Sequence, residues 1–315
     1  MIPLLVLAGP TAAGKTELAV ETALRLNGEI ISADSMQVYR RMDIGTAKPT
    51  GAERKGVPHY LIDIVDPDEE YNVARFQADA NQAIEDIAGR GKLPMLVGGT
   101  GLYLNAVIFS YQFSDCQAEF KELRASLLNA ASEKGSSRFL HRRLQEVDPE
   151  SARKIHPNDL RRIVRALEVY YVTGKPISLQ IKETKRAKSS YSPVIIGLKW
   201  RRDCLYERID RRVDGMLKRG FLAEVQGLLQ DGYSPALKSM QSLGYAHLAR
   251  HLMGELSLNE AVEELKRDTR RYAKRQMTWF RKLNGITWIN MVHGTEEEKE
   301  EAVEKICSLM QENTA

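Results

Sequence analysis

Met1-Ile2-Pro3-Leu4-Leu5-Val6-Leu7-Ala8-Gly9-Pro10-Thr11-Ala12-Ala13-Gly14-Lys15-Thr16 decides the fold. Ile2 to Ala8 is apolar at nearly every residue, the pattern of a strand buried on both faces. Gly9 to Thr16 has the spacing G-x-x-x-x-G-K-[ST], and a helical pattern from Lys15 to Leu26 follows it. The glycines let the backbone curl with its N–H groups turned inward around phosphate oxygens. The helix aims its positive end at the same anion. Gly9, Pro10, Thr11, Ala12, Ala13, Gly14, Lys15 and Thr16 therefore form a candidate phosphate cradle. In it Lys15 supplies a mobile charge and the Thr16 hydroxyl a ligand for Mg²⁺. The apolar run is too short, and lacks the basic leader, for a secretory signal.

Outward from this stretch, Glu29–Asp34 reads as a second buried strand ending in an acid. His59–Val65 reads as a third and Leu93–Val97 as a fourth, with helical spacing from Ala74 to Ala88 between the last two. Alternating strands and helices predict an α/β fold, a P-loop NTPase-like parallel sheet flanked by helices. From about Phe113 to Ser189 the pattern is helical and basic, without a convincing strand. Thr184–Ser192 reads as a polar linker, and Val194–Trp200 returns as a strand. Helical spacing then runs over Asp203–His251 and Asn259–Lys282, before a short final strand at Ile286–Asn290. The expected organisation is a first core part (1–112), an inserted all-helical domain (113–190) and a mainly helical completion of the core (191–315).

The chain has 315 residues and a formal net charge of only +4, but the charge is segregated. Between Arg138 and Lys188 there are 13 Lys/Arg against six Asp/Glu, and between Lys266 and Lys282 eight against Asp268 alone. Two basic surfaces on an otherwise acidic chain point to a polyanion, with solvated helix faces as the plainer alternative. No apolar run is long enough to span a bilayer. The three cysteines (Cys116, Cys204, Cys307) are scattered, against a zinc knuckle or disulfide framework and in favour of a reducing cytoplasm. No extended apolar seam is evident, so a monomer is expected.

What the cradle holds is a separate question. An NTPase usually has an apolar strand ending in an Asp that holds Mg²⁺ through water. Here Leu93–Val97 ends in Gly98-Gly99-Thr100, and the strand-end acids are Asp34 and Asp63. There is no Asn/Thr-Lys-x-Asp stretch to read guanine. The residues thus indicate a polyphosphate without naming a nucleoside. Asp34 should lie near it, because neighbouring strand ends share one crevice. It could serve there as metal partner or general base, or merely cap the next turn.

Asp34–Arg40, Asp43–Pro49, Gly98–Tyr103, His156–Asp159, Arg161-Arg162, Arg165–Glu168, Thr173–Lys175, Arg208-Ile209 with Arg212, Gly244-Tyr245, Tyr272–Gln276 and Thr278–Phe280, together with Gly9–Thr16, resemble the bacterial tRNA dimethylallyltransferases (tRNA isopentenyltransferases) along nearly the whole chain. Ala13 stands where that family often has Ser, and the cysteines of the eukaryotic members' zinc finger are not present in this sequence. The resemblance implies transfer of a dimethylallyl group from dimethylallyl diphosphate to N6 of adenosine-37, next to the anticodon of tRNA, with diphosphate leaving. It puts the general base on Asp34, with Thr100 beside the amine and diphosphate. Lys15, Thr16 with Mg²⁺, Arg212 and Arg208 are placed on the diphosphate. Ser35, Met36 and Gln37 would line the adenine site, Gln37 being able to pair with an adenine edge. Asn158, Asp159, Leu160, Arg161 and Arg162 would meet the anticodon stem-loop, and Lys274 and Arg275 its phosphates. Trp279 and Phe280 are expected to be packing residues, and His59 and His156 structural ones. The competing readings are a small-molecule kinase with a helical lid, prenylation of free adenine nucleotides, and a non-catalytic RNA-binding module. The long basic insertion disfavours free nucleotides, which carry too few phosphates to need it.

Overall fold

The computed structural model describes residues 1–111, 113, 117–133, 137–186 and 190–314. Cys116, Lys188 and the middle of the expected linker lie outside them. The chain divides into two compact units, residues 1–108 with 190–315, and Phe109–Ser189.

In the first unit the elements run β1 (Ile2–Ala8), α1 (Lys15–Leu26), β2 (Gly28–Ser32), α2 (Gly51–Arg54), β3 (His59–Tyr60), α3 (Val73–Gly89), β4 (Leu93–Gly98) and α4 (Gly101–Ile108). The second unit is helical: α5 (Gln117–Glu133), α6 (Arg138–Val147), α7 (Pro149–Lys154), α8 (Leu160–Thr173) and α9 (Ile177–Arg186). The chain then returns to the first unit with β5 (Tyr191–Trp200), α10 (Arg202–Lys218), α11 (Phe221–Gln230), α12 (Tyr245–Leu252), α13 (Leu258–Phe280), β6 (Ile286–Met291) and α14 (Glu296–Thr314). The six strands form one parallel sheet in the order β3-β2-β4-β1-β5-β6. Leu4 to Ala8 of β1 are fully buried, as a central strand covered by helices requires. No helix among the described residues is long and apolar enough to cross a membrane.

Sequence-based boundaries change in several places, among them the helical run expected over Asp203–His251, which breaks at 219–220 and 231–244. The third strand stops at Tyr60 instead of Val65, because Leu61 and Asp63 adopt left-handed backbone (φ 61° and 58°) that no strand tolerates. The polar stretch from Thr184 is helical to Arg186, and pairing with β1 begins at Tyr191. Lysine- and arginine-rich helical sequence without Gly or Pro has good helix propensity, which polarity alone conceals.

The helical unit closes a small core of its own around Leu140, Leu144, Ile163, Val164 and Leu167. Glu168 is fully buried there and held by Arg124 at 2.6 Å, with Arg165 at 3.4 Å. A buried carboxylate needs such partners.

Candidate active site

Left-handed backbone shapes the cradle: Ala12 has φ 63° and Gly14 φ 84° between the end of β1 and the start of α1. Gly14 tolerates this freely, whereas Ala12 does so at some cost. The Lys15 ammonium donates to the Gly9 and Pro10 carbonyls at 2.9 and 2.8 Å, closing the loop on itself. Arg208 donates from Nε to the Ala12 carbonyl at 2.9 Å, with its guanidinium 4.2 Å from the Trp200 ring centroid. Trp200 in turn donates to the Ala13 carbonyl at 3.1 Å. The structure therefore puts Arg208, expected on the diphosphate, onto the loop's own backbone, where it shapes the cradle.

The cradle opens into a cavity of about 1120 Å³. Asp34, Ser35, Met36 and Gln37 also line it, as do Arg212 and Arg208 from α10. A glycine brings two of the walls together. A Cβ on Gly98 would lie 2.2 Å from the Ala33 carbonyl oxygen, so only glycine lets the end of β4 meet the end of β2. Thr100 Oγ1 then accepts from the Ser35 N–H at 3.2 Å, which places it next to Asp34.

Asp34 caps the next turn, the plainer of the roles weighed from the sequence. Its Oδ1 accepts from Met36 N–H at 2.8 Å and Gln37 N–H at 3.4 Å, capping the turn. Oδ2 has no hydrogen-bond donor among the described residues. Met36 is half-buried in the cavity wall. Gln37 is already engaged: Oε1 meets the Ser32 hydroxyl at 2.9 Å, and Nε2 donates to the Thr46 and Ala47 carbonyls at 3.3 Å. Both ends of that amide pin the loop after β2, so as observed it is not free to pair with a base edge.

Charge in the cavity is unbalanced. Burial, then Arg212, pulls Lys15 from 10.5 down to about 8, against the opposing pull of Asp34. Arg212 is also pushed down by burial, with Asp34 opposing. It makes no hydrogen bond or close ion pair among the described residues. A half-buried, unpaired guanidinium is costly to keep, and Arg212 lines the same cavity as the cradle residues. Among the described residues the Thr16 hydroxyl, at the start of α1, has no hydrogen-bond partner either. Its hard oxygen is a donor of the kind that suits Mg²⁺. No group of three His, Cys, Asp or Glu side chains among the described residues forms a cage of its own.

Two features were missed in the sequence. Tyr272 of α13 lines the cavity, its phenol pushed up to about 12 by burial, with the Asp34 charge adding and Thr100 and Gln276 opposing. Glu224 of α11 accepts from Asp43, Ile44 and Gly45 N–H at 3.0, 2.7 and 3.1 Å, and from the Tyr245 hydroxyl. It holds the Asp43–Pro49 wall, where a Cβ on Gly45 would strike Phe221 at 2.2 Å. Asp63, the other strand-end acid, pairs with Lys48 instead of facing the cradle.

The basic stretches are partly solvated faces after all. In α13, Lys266 pairs with Asp214, Arg270 with Asp210 and Arg271 with Asp268, leaving Lys274, Arg275, Arg281 and Lys282 exposed at its C-terminal end. In the helical unit, Asp159 caps α8 through Arg162 N–H and also pairs with the Arg162 guanidinium. Leu160 packs on that unit's core. Those observations make Asp159 and Leu160 structural, while Asn158, Arg161 and Arg162 stay exposed. His156 accepts from Asn158 N–H as a turn residue, and His59 bonds the Val57 carbonyl. Phe280 is buried as expected, but Trp279 is 41% exposed, lying over Gly101.

The IPP transferase family model matches residues 37–283 and the isopentenyl transferase model residues 2–66. A curated tRNA dimethylallyltransferase of Acetivibrio thermocellus is 52% identical over 295 residues, covering 94% of each chain. That of Symbiobacterium thermophilum is 53% identical, covering 99% of this chain and 96% of its own. The crystal structure of a tRNA isopentenylpyrophosphate transferase from Bacillus halodurans is similar over 100% of this chain and 98% of that one, at 44% identity and TM-score 0.74. A eukaryotic dimethylallyltransferase captured acting on tRNA aligns over 97% of this chain and 78% of its own, at 33% identity and TM-score 0.81.

Proposed function

We infer the reaction from one premise: the chain belongs to the IPP transferase family, the tRNA dimethylallyltransferases. It transfers the dimethylallyl group of dimethylallyl diphosphate to N6 of adenosine-37 beside the anticodon of tRNA, and diphosphate leaves. A small-molecule kinase is not favoured by these relatives.

The observation that carries the mechanism is one cavity joining an anion cradle to a carboxylate oxygen, with neither Arg212 nor that oxygen bonded among the described residues. The allylic C1–O bond breaks as N6 attacks C1. The electron pair of that bond goes to the diphosphate oxygen, where loop N–H groups, Lys15 and Arg212 meet the growing charge. Fixed donors of this kind are worth about 3–4 kcal/mol each. The N6 proton goes to Asp34 Oδ2 as the N–C bond forms, which offsets the poor nucleophilicity of an amine conjugated to its ring. Thr100, fixed by Ser35, lies beside that carboxylate to orient the amine. The Arg208 side chain keeps the cradle in shape through the Ala12 carbonyl. Thr16 would hold Mg²⁺, which when bound would supply charge neutralisation for the leaving group.

Adenosine-37 must leave the anticodon stack, at a cost of a few kcal/mol. Contacts by Asn158, Arg161 and Arg162 on the helical unit, and by Lys274 and Arg275 on α13, offset it. The protein acts as a monomer in the cytoplasm, where its tRNA is found. The experiment is acceptor competition: purified protein, Mg²⁺ and labelled dimethylallyl diphosphate, with unmodified tRNA, AMP or ATP in separate reactions. Label in tRNA alone is expected; label in AMP and none in tRNA would overturn the acceptor.

A further inference from the structure

We propose that Gln276, on α13, is a positioning residue that fixes the diphosphate cradle relative to the Asp34–Thr100 side of the cavity. This rests on the reaction proposed above. The side chain is buried, and both ends of its amide are used. Oε1 accepts from Thr11 N–H at 2.9 Å, and Nε2 donates to the Gly99 carbonyl at 2.9 Å. Glutamine offers one acceptor and one donor group at the right separation for this pair. The Thr11 N–H is thereby an anchor of the cradle and not one of its phosphate donors.

The fit has little slack. A Cβ on Gly99 would lie 2.4 Å from Gln276 Nε2, and one on Gly101 would lie 2.2 Å from Trp279 Cδ1. Helix α13 thus grips the turn at Gly99 and Gly101 with side chains three residues apart, and Thr100 lies between them. Because Thr100 Oγ1 accepts from Ser35 N–H, next to Asp34, a continuous chain of hydrogen bonds and backbone runs from the leaving-group side to the base. Transfer depends on the separation of those two sides, and a misplacement of about 1 Å can cost about 100-fold.

The test compares Gln276→Met and Gln276→Glu in the full chain. For Gln276→Met, kcat is expected to fall about 100-fold. Affinity for inorganic diphosphate, measured by calorimetry, should weaken about tenfold, with the tRNA Kd within about threefold of the parent. For Gln276→Glu, the ionised carboxylate repels the Gly99 carbonyl, whereas the protonated acid restores both bonds. Its kcat relative to the parent should therefore climb about tenfold from pH 8 to pH 6, the carboxyl being raised by its buried site. A Met variant with unchanged kcat, whatever its melting temperature, overturns the proposal. So does a flat pH ratio for the Glu variant, or a loss confined to tRNA affinity. Should the Met variant not fold, the Glu pH series decides alone. The calorimetry needs no turnover, so a parent protein that binds diphosphate but transfers no prenyl group would defeat the reaction and still read the anchoring.

Discussion

Lys15 offers a sharp test of the cradle's electrostatics. Desolvation, reinforced by Arg212, holds its ammonium at about 8 against an ordinary 10.5, a bias of about 3 kcal/mol against the charge. A bound diphosphate opposes that bias and raises the value. Below pH 8 the free protein already carries the proton, so binding changes little with pH. Above pH 8 binding must first take a proton up, and the apparent Kd should weaken by up to about tenfold per pH unit. Calorimetric titration of inorganic diphosphate from pH 7 to 9.5, in buffers of different ionisation enthalpy, should show approximately one extra proton bound at pH 9. The ligand's own titration is shared with Lys15→Arg, whose guanidinium stays charged, so the difference between the two profiles isolates Lys15. Arg212→Gln removes the second depressing influence and should move the break to higher pH, while lowering kcat by about 10²–10³. Parallel profiles for the parent and Lys15→Arg would refute a desolvated Lys15 in the cradle.

Gly98→Ala places a methyl 2.2 Å from the Ala33 carbonyl, so the strand ends must part; kcat should drop by about 100-fold with a fall in melting temperature, and unchanged kinetics would uncouple that contact from Thr100. Glu29, buried under Arg90, Lys92 and Tyr60, is held at about 2, chiefly by Arg90. A depressed carboxylate contributes stability that is present above its unfolded value near 4.5 and is lost as pH falls towards 2. Glu29→Gln should therefore cost about 1–3 kcal/mol at pH 7 in urea unfolding and narrow the gap to the parent at acid pH; a constant difference at all pH values would contradict this. Neutralising Arg161, Lys274 and Arg275 together should weaken tRNA binding and make its salt dependence shallower. By contrast Arg270→Gln, which breaks only the Asp210 pair, should lower stability and leave the salt slope alone; the reverse pattern would move the RNA surface.

The parts of the site legible in the sequence are those written in local chemistry. Gly9–Thr16 carries its own geometry, and an acid at the end of β2 must share the crevice with it once the sheet is parallel. Gly98 and Gly45 were visible as glycines, but what they admit, the Ala33 carbonyl and the Phe221 ring, depends on segments far away in the chain. The same holds for Gln276, which meets residues 265 and 177 positions away, and for Glu224. No window of sequence contains either partner. Charge counting overstated the basic faces for a related reason. The acids that neutralise Lys266 and Arg270 lie on α10, more than 50 residues earlier. Left-handed backbone at Leu61 and Asp63 shortened β3 although neither residue type announces it.

Asp34 bears the most direct measurement. In single-turnover reactions with both substrates prebound, Asp34→Asn should slow the chemical step by about 10²–10⁴, with tRNA and diphosphate affinities within a few fold of the parent. The turn survives the change, because the Asn oxygen can still cap Met36 N–H. A chemical step at the parent's rate, with the loss appearing only in tRNA affinity, would make Asp34 an RNA contact and leave the amine without its base.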